Sequence, residues 1–164
     1  AFPDFRAAER TFQLILQVAG RAGRGSIKGE VVLQTFDIEN VTIRIAARHD
    51  YNDFWEDESK VRKAFGYPPF GHLIRFVWSG LDKENVRKVA YSSTKGIQIA
   101  DVNVSSPQEA AFPRINRRWR WSSLARSSSR KSLAELSKRI RKQYEKIPHR
   151  GVRLEVDVDP YNLL

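Results

Sequence analysis

Two arginines and a glutamine near the start of the chain have the spacing of a phosphate-sensing motif. The segment QVAGRAGR places Gln17, Arg21 and Arg24 at positions i, i+4 and i+7, which lie on one face of a helix. Gly20 and Gly23 leave that face open to a close partner. Two guanidinium groups and an amide can stabilise the charge that moves within a triphosphate during its cleavage. A basic helix end punctuated by glycine is the alternative, because short motifs also occur by chance.

A second group of arginines alternates with tryptophans in the segment RINRRWRW, which begins at Arg114. If this segment is one extended strand, successive side chains point to opposite faces. One face then carries Arg114, Asn116, Arg118 and Arg120, and the other carries Ile115, Arg117, Trp119 and Trp121. The arginines either track the phosphates of a nucleic acid or only solvate the sheet. The tryptophans either stack on bases or close the core, and the core is favoured for large aromatic side chains.

The positive charge of the chain is concentrated in its C-terminal part. The formal net charge is +10, of which residues 1–48 contribute +2, residues 49–66 contribute −2 and residues 67–164 contribute +10. Such a field attracts phosphates, because each phosphate that is neutralised releases condensed counterions. A solvated basic face is the alternative, and composition alone does not decide between that and a nucleic-acid partner.

No residue pattern indicates a metal site, and we predict none in this chain. Cysteine is absent, and His49, His72 and His149 are scattered without ligand spacing. Asp157 and Asp159 share a face of a predicted strand, but a proline follows and no third ligand lies nearby, so we interpret them as a strand end. The longest apolar run is three residues, which predicts no membrane span.

Hydrophobic periodicity divides the chain into two parts at the junction GYPPFG, where two prolines exclude both a helix and a central strand. Before the junction we predict a helix from about Phe5 to the glycines after Gln17, a buried strand over 29–36 and helices over 40–48 and 50–65. After it we predict strands over 72–79, 97–104, 114–126 and 152–158, and helices over 81–95 and 129–146. This order predicts a two-layer α/β sandwich.

Four blocks of this sequence resemble one protein family, in the family's own order along the chain. PDFRAAERTFQLILQVAGRAGRG resembles the last motif of superfamily 2 helicases, in the form that the PriA (primosomal protein N′) replication-restart helicases have. GYPPF, RINRRWRW and VDVDP are similar to that family's junction, basic-aromatic strand and C-terminal segment. The chain departs from the family pattern at Ser105-Ser106, at Arg117, where glycine or asparagine is common, and at Ser122-Ser123.

The resemblance implies a fold and an activity that the residues alone do not establish. Residues 1–48 would be the end of the second RecA-like helicase lobe, residues 49–66 a linking helix, and residues 67–164 a domain like ribosomal protein S10. The whole protein would be an ATP-dependent 3′→5′ DNA helicase with ATP, magnesium and zinc, whose P-loop, acidic box and zinc ligands lie upstream. The residues that match its final motif would act on the nucleotide: Arg21 and Arg24 as an arginine finger, with Gln17, Gly20 and Gly23.

The resemblance also implies partners and a location. These are branched or single-stranded DNA, other primosome proteins and the acidic tail of single-stranded DNA-binding protein, with Arg130 as a contact. We expect DNA contacts at Arg114, Arg118 and Arg120, a cytoplasmic, nucleoid-associated protein and no ATP hydrolysis by this chain alone. A stand-alone S10-like RNA-binding module and part of another superfamily 2 motor are the alternatives.

Overall fold

The computed structural model describes residues 4–22, 29–161 and 163. The chain divides into two compact units, Phe5–Val61 and Arg62–Leu164, and Asp4 belongs to the second of them. The division falls inside a helix, ahead of the predicted junction at Tyr67. The domain limits inferred from the resemblance, 1–48, 49–66 and 67–164, stay a prediction.

The first unit contains three helices that pack around two phenylalanines. The helices are α1 (Ala7–Ala22), α2 (Val41–Ala47) and α3 (Tyr51–Phe65), the last of which extends past the division. Phe12 of α1 stacks on Phe54 of α3 with 4.3 Å between ring centroids, and Ile45 and Ala46 complete the buried cluster. The three predicted helices are therefore confirmed.

The predicted buried strand over 29–36 is wrong, since this segment is neither a strand nor buried. Its most apolar stretch, Val31–Leu33, is exposed, with Val32 at 87%. The physical reason is that the described residues of this unit form no other strand, so the backbone of 29–36 has no ladder to join.

The second unit is a five-stranded antiparallel sheet with two helices. The strands are β1 (His72–Gly80), β2 (Asn103–Val104), β3 (Gln108–Ile115), β4 (Arg118–Ser127) and β5 (Val152–Val158), and the helices are α4 (Lys83–Thr94) and α5 (Arg130–Lys146). The strand order is β2-β4-β1-β5, and β3 also pairs with β4. All pairings are antiparallel.

Both helices cover the same face of the sheet. The buried side chains of α4 (Val86, Val89, Ala90) and of α5 (Leu133, Leu136, Ile140) belong to one core with alternate residues of β1. Asp82 and Ser129 cap the two helices, because their side chains accept hydrogen bonds from the backbone N–H of Asn85 and Ser132. The arrangement is the predicted two-layer α/β architecture, with an antiparallel sheet.

The predicted strand over 97–104 is mostly wrong, because only Asn103 and Val104 pair with the sheet. Turn hydrogen bonds join Ile97 N to Thr94 O and Val102 N to Ile99 O, so the segment is irregular. Its apolar side chains still pack against the core, which explains why their spacing resembles that of a strand.

Among the described residues, no helix combines the length and the hydropathy that crossing a membrane requires.

Candidate functional site

The basic-aromatic segment is a hairpin rather than one strand, which corrects the prediction for 114–126. β3 ends at Ile115, which pairs with Arg118 at the start of β4. Asn116 and Arg117 form the turn with φ values of 49° and 63°, as in two-residue hairpin turns of type I′. Asparagine adopts this left-handed conformation more readily than most residues, so the chain reverses at Asn116.

The reversal separates the three arginines that were predicted to share one face. Arg114 lies directly opposite Trp119, and directly opposite residues of an antiparallel pair share a face. Arg118 and Arg120 alternate with Trp119 along β4 and so point to the other face. The predicted single row of Arg114, Arg118 and Arg120 is therefore wrong.

Arg118 already has partners within the domain. Its Nη2 donates to the carbonyl oxygen of Ser79 at 2.8 Å and to that of Gly151 at 3.4 Å, and its Nε lies 3.5 Å from Ser79 Oγ. These bonds join the base of the hairpin to the end of β1 and to the loop before β5. Arg118 thus stabilises the sheet end directly.

Arg120 lies on the sheet face opposite to the helices, together with Arg75 of β1 and with Glu155 and Asp157 of β5. It pairs with Ser79 of β1, and its charge acts on Arg75. Burial, and then the positive charge of Arg120, lower the pKa of Arg75, while Asp157 and Glu155 of β5 oppose this effect. Arg120 is half-buried.

Two cations lie over the Trp119 ring. The Arg114 guanidinium carbon lies 5.1 Å from the ring centroid and the Lys83 Nζ lies 4.9 Å from it, within the range of a cation–π contact. Lys83 also forms an ion pair of 2.7 Å with Glu109. Arg114 is exposed, so its guanidinium is held over an aromatic ring at the surface.

The tryptophans belong to the core, as predicted. Trp121 is 4% exposed and faces Trp78 of β1. Trp119 is partly buried and packs against the same core. Since its ring is covered by Arg114 and Lys83, base stacking on Trp119 would require one of them to move.

A groove of about 690 Å³ opens at the other end of the sheet, where β1 begins and β5 ends. Its apolar lining includes Leu73, Ile74 and Val158. Half of the eight α5 residues along it are basic, namely Arg130, Lys138, Arg141 and Lys142, and one is acidic, Glu145. Val158 is 64% exposed. The combination suits a ligand that carries both negative charge and an apolar group.

Arg130 is positioned at the mouth of this groove by two neighbours. Its Nε donates to His72 Nδ1 at 3.3 Å, and its Nη2 lies 3.8 Å from Asp159 Oδ2. Asp159 is itself fixed, since its Oδ1 accepts the backbone N–H of Leu73 at 3.1 Å. The Arg130 side chain remains 76% exposed, so it can reach a ligand.

The candidate nucleotide residues are described only in part. Gln17, Gly20 and Arg21 lie in α1, all exposed, and their spacing places them on one helical face as predicted. A side chain at Gly20 would meet no atom within 4 Å. Gly23 and Arg24 lie outside the described residues. The nucleotide role of these residues stays a prediction.

Asp159 makes backbone hydrogen bonds, as expected for a strand end. Its N–H donates to Leu73 O at 2.8 Å, in addition to the bond that its carboxylate accepts.

Within residues 4–22, 29–161 and 163, no three histidine, aspartate or glutamate side chains are grouped to hold a metal ion.

Two features of these sites were not deduced from the sequence. The turn at Asn116-Arg117 had a signal, an asparagine between two strand-forming stretches, but the glycine that usually follows is absent. The groove had no local signal, because its walls come from residues 72–74, 130–145 and 158–159.

The fold and the sites define a small two-layer α/β domain with basic residues at both ends of its sheet. Residues 63–161 match the family described as the primosomal protein N C-terminal domain, PriA_C. This chain therefore belongs to that family.

Two relatives align with nearly the whole chain. Replication restart protein PriA of Bacillus subtilis (strain 168) is 32% identical over 169 residues, covering 99% of this chain and 21% of the relative. Replication restart protein PriA of Synechocystis sp. (strain ATCC 27184 / PCC 6803 / Kazusa) is 33% identical over 165 residues, covering 99% and 19%. The chain thus spans about a fifth of the length of these curated relatives. A solved de novo designed protein, Foldit4, matches with a TM-score of 0.42 at 14% identity, covering 55% of this chain and 97% of that chain.

Proposed function

We propose that this chain is the C-terminal part of a replication restart helicase, an ATP-dependent 3′→5′ DNA motor that acts at stalled forks and starts primosome assembly. The observation that carries the proposal is the similarity to relatives named replication restart protein PriA over 99% of the chain. Residues 1–48 are the end of the second RecA-like lobe, and residues 67–164 adopt an S10-like fold.

The second unit supplies DNA binding and docking. Its hairpin end carries Arg114, Arg117 and Lys83, and the net positive charge of the unit favours phosphate contacts with little sequence preference.

The groove beside Arg130 receives the acidic tail of single-stranded DNA-binding protein. The apolar lining and the cations of α5 support this assignment, because they complement an acidic peptide with an apolar anchor.

The first unit supplies the arginine finger to a nucleotide held elsewhere in the whole protein. Arg21 is exposed at the end of α1, where it can reach a triphosphate bound by another lobe. ATP and magnesium bind the upstream P-loop and acidic box, so this chain alone does not hydrolyse ATP.

The test of the proposal is the Arg21→Ala variant of the full-length protein. An arginine finger contributes about 10³–10⁵-fold to turnover, so we expect DNA-stimulated ATP hydrolysis to fall by roughly three orders of magnitude. Arg44→Ala is the matched control, because Arg44 is also exposed on a helix of the first unit but is paired with Glu39. Near-normal turnover of the Arg21 variant would exclude it from the nucleotide site.

A further inference from the structure

We propose that the tip of the β3–β4 hairpin, Arg114–Arg118, enters the major groove of duplex DNA. The inference rests on the proposed DNA-binding function and adds to it the element that makes the contact and the form of DNA that it fits. The hairpin tip replaces, as the DNA contact, the strand face that the sequence suggested, since Arg118 is bonded to backbone carbonyl groups.

The hairpin tip extends past the rest of the sheet. β4 pairs with β1 as far as Trp119 opposite Gly80, so the part of the hairpin that continues past β1 is Ile115–Arg118, with Ile115 opposite Arg118. The tip is therefore the short end of a two-stranded ribbon. A ribbon of this kind fits the major groove of B-DNA, which is about 12 Å wide, and not the minor groove, which is about 6 Å wide.

The side chains of the tip suit the floor and the walls of that groove. Arg114 and Arg117 are exposed, and so are two apolar residues beside them, Phe112 at 53% and Ile115 at 42%. No acidic residue occurs between Glu109 and Glu135. Guanidinium groups bind phosphates and guanine edges, and apolar side chains contact thymine methyl groups.

Arg117 occupies a backbone position that favours glycine. Its φ of 63° lies in the left-handed region, where a side chain is disfavoured. A long cation held in such a conformation at the point of a turn is a strained residue, and strain of this kind clusters at functional sites. If Arg117 serves to contact a ligand, replacing it with glycine should raise stability and lower affinity. If its role is structural, the replacement should lower stability.

The two ends of the tip segment are held in place. Arg118 is bonded to the carbonyl groups of Ser79 and Gly151, and Arg114 and Lys83 lie over the Trp119 ring. The tip is thus preorganised, which reduces the entropy lost on binding.

The Arg117→Gly substitution tests the inference, because it should change stability and affinity in opposite directions. Glycine relieves the positive φ, so the unfolding temperature should rise. Affinity for a mixed-sequence DNA duplex should fall by roughly tenfold if one guanidinium contact is lost. The control is Arg87→Ala, which removes the same charge from α4, where Arg87 is paired with Glu84, and we expect less than about a twofold change.

Altered duplexes identify the groove. Netropsin occupies the minor groove and should leave binding unchanged. Glucosylated 5-hydroxymethylcytosine fills the major groove, so the wild type should bind a duplex that contains it as weakly as Arg117→Gly binds the unmodified duplex. An RNA duplex should bind less tightly, because the major groove of A-form RNA is deep and narrow. Displacement by netropsin, or equal affinity for RNA, would overturn the inference.

The failure of the inference and that of the proposed function are distinguishable. If the wild-type chain binds no DNA at low salt, DNA binding by this domain is wrong, and the inference fails with it. If the wild type binds duplex DNA and Arg117→Gly binds it equally well, DNA binding stands and the hairpin tip is not the contact.

Discussion

Each arginine of the basic-aromatic segment has its own surroundings, which determine whether it can bind a ligand. Arg118 donates to two backbone carbonyls, Arg120 lies beside the buried Arg75, and Arg114 rests on an aromatic ring at the surface. A guanidinium that is already bonded to carbonyl groups would lose those bonds on binding a phosphate, which offsets the gain. Arg114 and Arg117 are therefore better DNA contacts than Arg118.

Arg130 should be a strong determinant of peptide binding at the groove. Replacing it as Arg130→Glu places a negative charge at the mouth beside Asp159, so the affinity for an acidic C-terminal tail peptide should fall by at least roughly tenfold. Fluorescence anisotropy with a labelled tail peptide measures this change.

The control for Arg130 is the next residue along α5. Lys131→Glu makes the same change in charge, but Lys131 is not among the residues that line the groove. The two variants therefore separate a local contact from the overall field of the domain. Equal weakening by both would mean that only the net charge matters and that Arg130 makes no specific contact.

At the scale of elements, the sequence predicted best where several local signals agree. α5 has an N-cap serine, an apolar stripe of Leu133, Leu136 and Ile140, and basic residues elsewhere, and its predicted limits are nearly those observed. β1 and β5 were also located correctly, because each is bounded by glycine or proline and pairs along its length.

The failures have a common physical cause, since they depend on pairing rather than on local propensity. Residues 29–36 are rich in valine, yet no neighbouring strand exists for them to join within the described residues of their unit. In the segment from Arg114 to Trp121, the alternation of side chains suits one strand or two, and the pairing of β3 with β4 decides between them. The groove is not complete in any single segment, so of its residues only Arg130 was identified, through the family resemblance.

The cap of α5 gives a test at this scale. Ser129 Oγ accepts the backbone N–H of Ser132 at 3.2 Å, so Ser129→Ala should destabilise the second unit by about 1 kcal/mol. Ser128→Ala is the control, because Ser128 is exposed and lies outside the helix, and it should change stability by less than about 0.5 kcal/mol. Chemical denaturation measures both. Equal stability of the two variants would show that the cap contributes nothing.

At the scale of the second unit, Arg130 and the hairpin tip lie at opposite ends of one strand. The groove is next to His72, where β1 begins, and the hairpin tip lies beyond Gly80, where β1 ends. The nine residues of β1 span roughly 30 Å. Charges at that separation are screened from one another at physiological salt, where the Debye length is about 8 Å. The two proposed ligands, a peptide and DNA, would therefore not exclude one another by charge.

Simultaneous binding is a direct prediction of this separation. A saturating acidic tail peptide should change the affinity for a DNA duplex by less than about twofold at roughly 0.15 M salt. Titrating DNA with the peptide present and absent measures the coupling. If the peptide instead competes with DNA in the wild type but not in Arg130→Glu, the DNA also covers the groove.

Helix α5 separates Arg130 from the base of the hairpin. It begins at Arg130 beside the groove and ends near the hairpin base, where Tyr144 Oη donates to Val152 O at 2.7 Å. Its 17 residues make a rod roughly 25 Å long. Under the proposed function, a partner bound to DNA at the hairpin tip would need a tail of about eight fully extended residues to reach Arg130. The length of α5 would thus set the shortest tail that can contact Arg130.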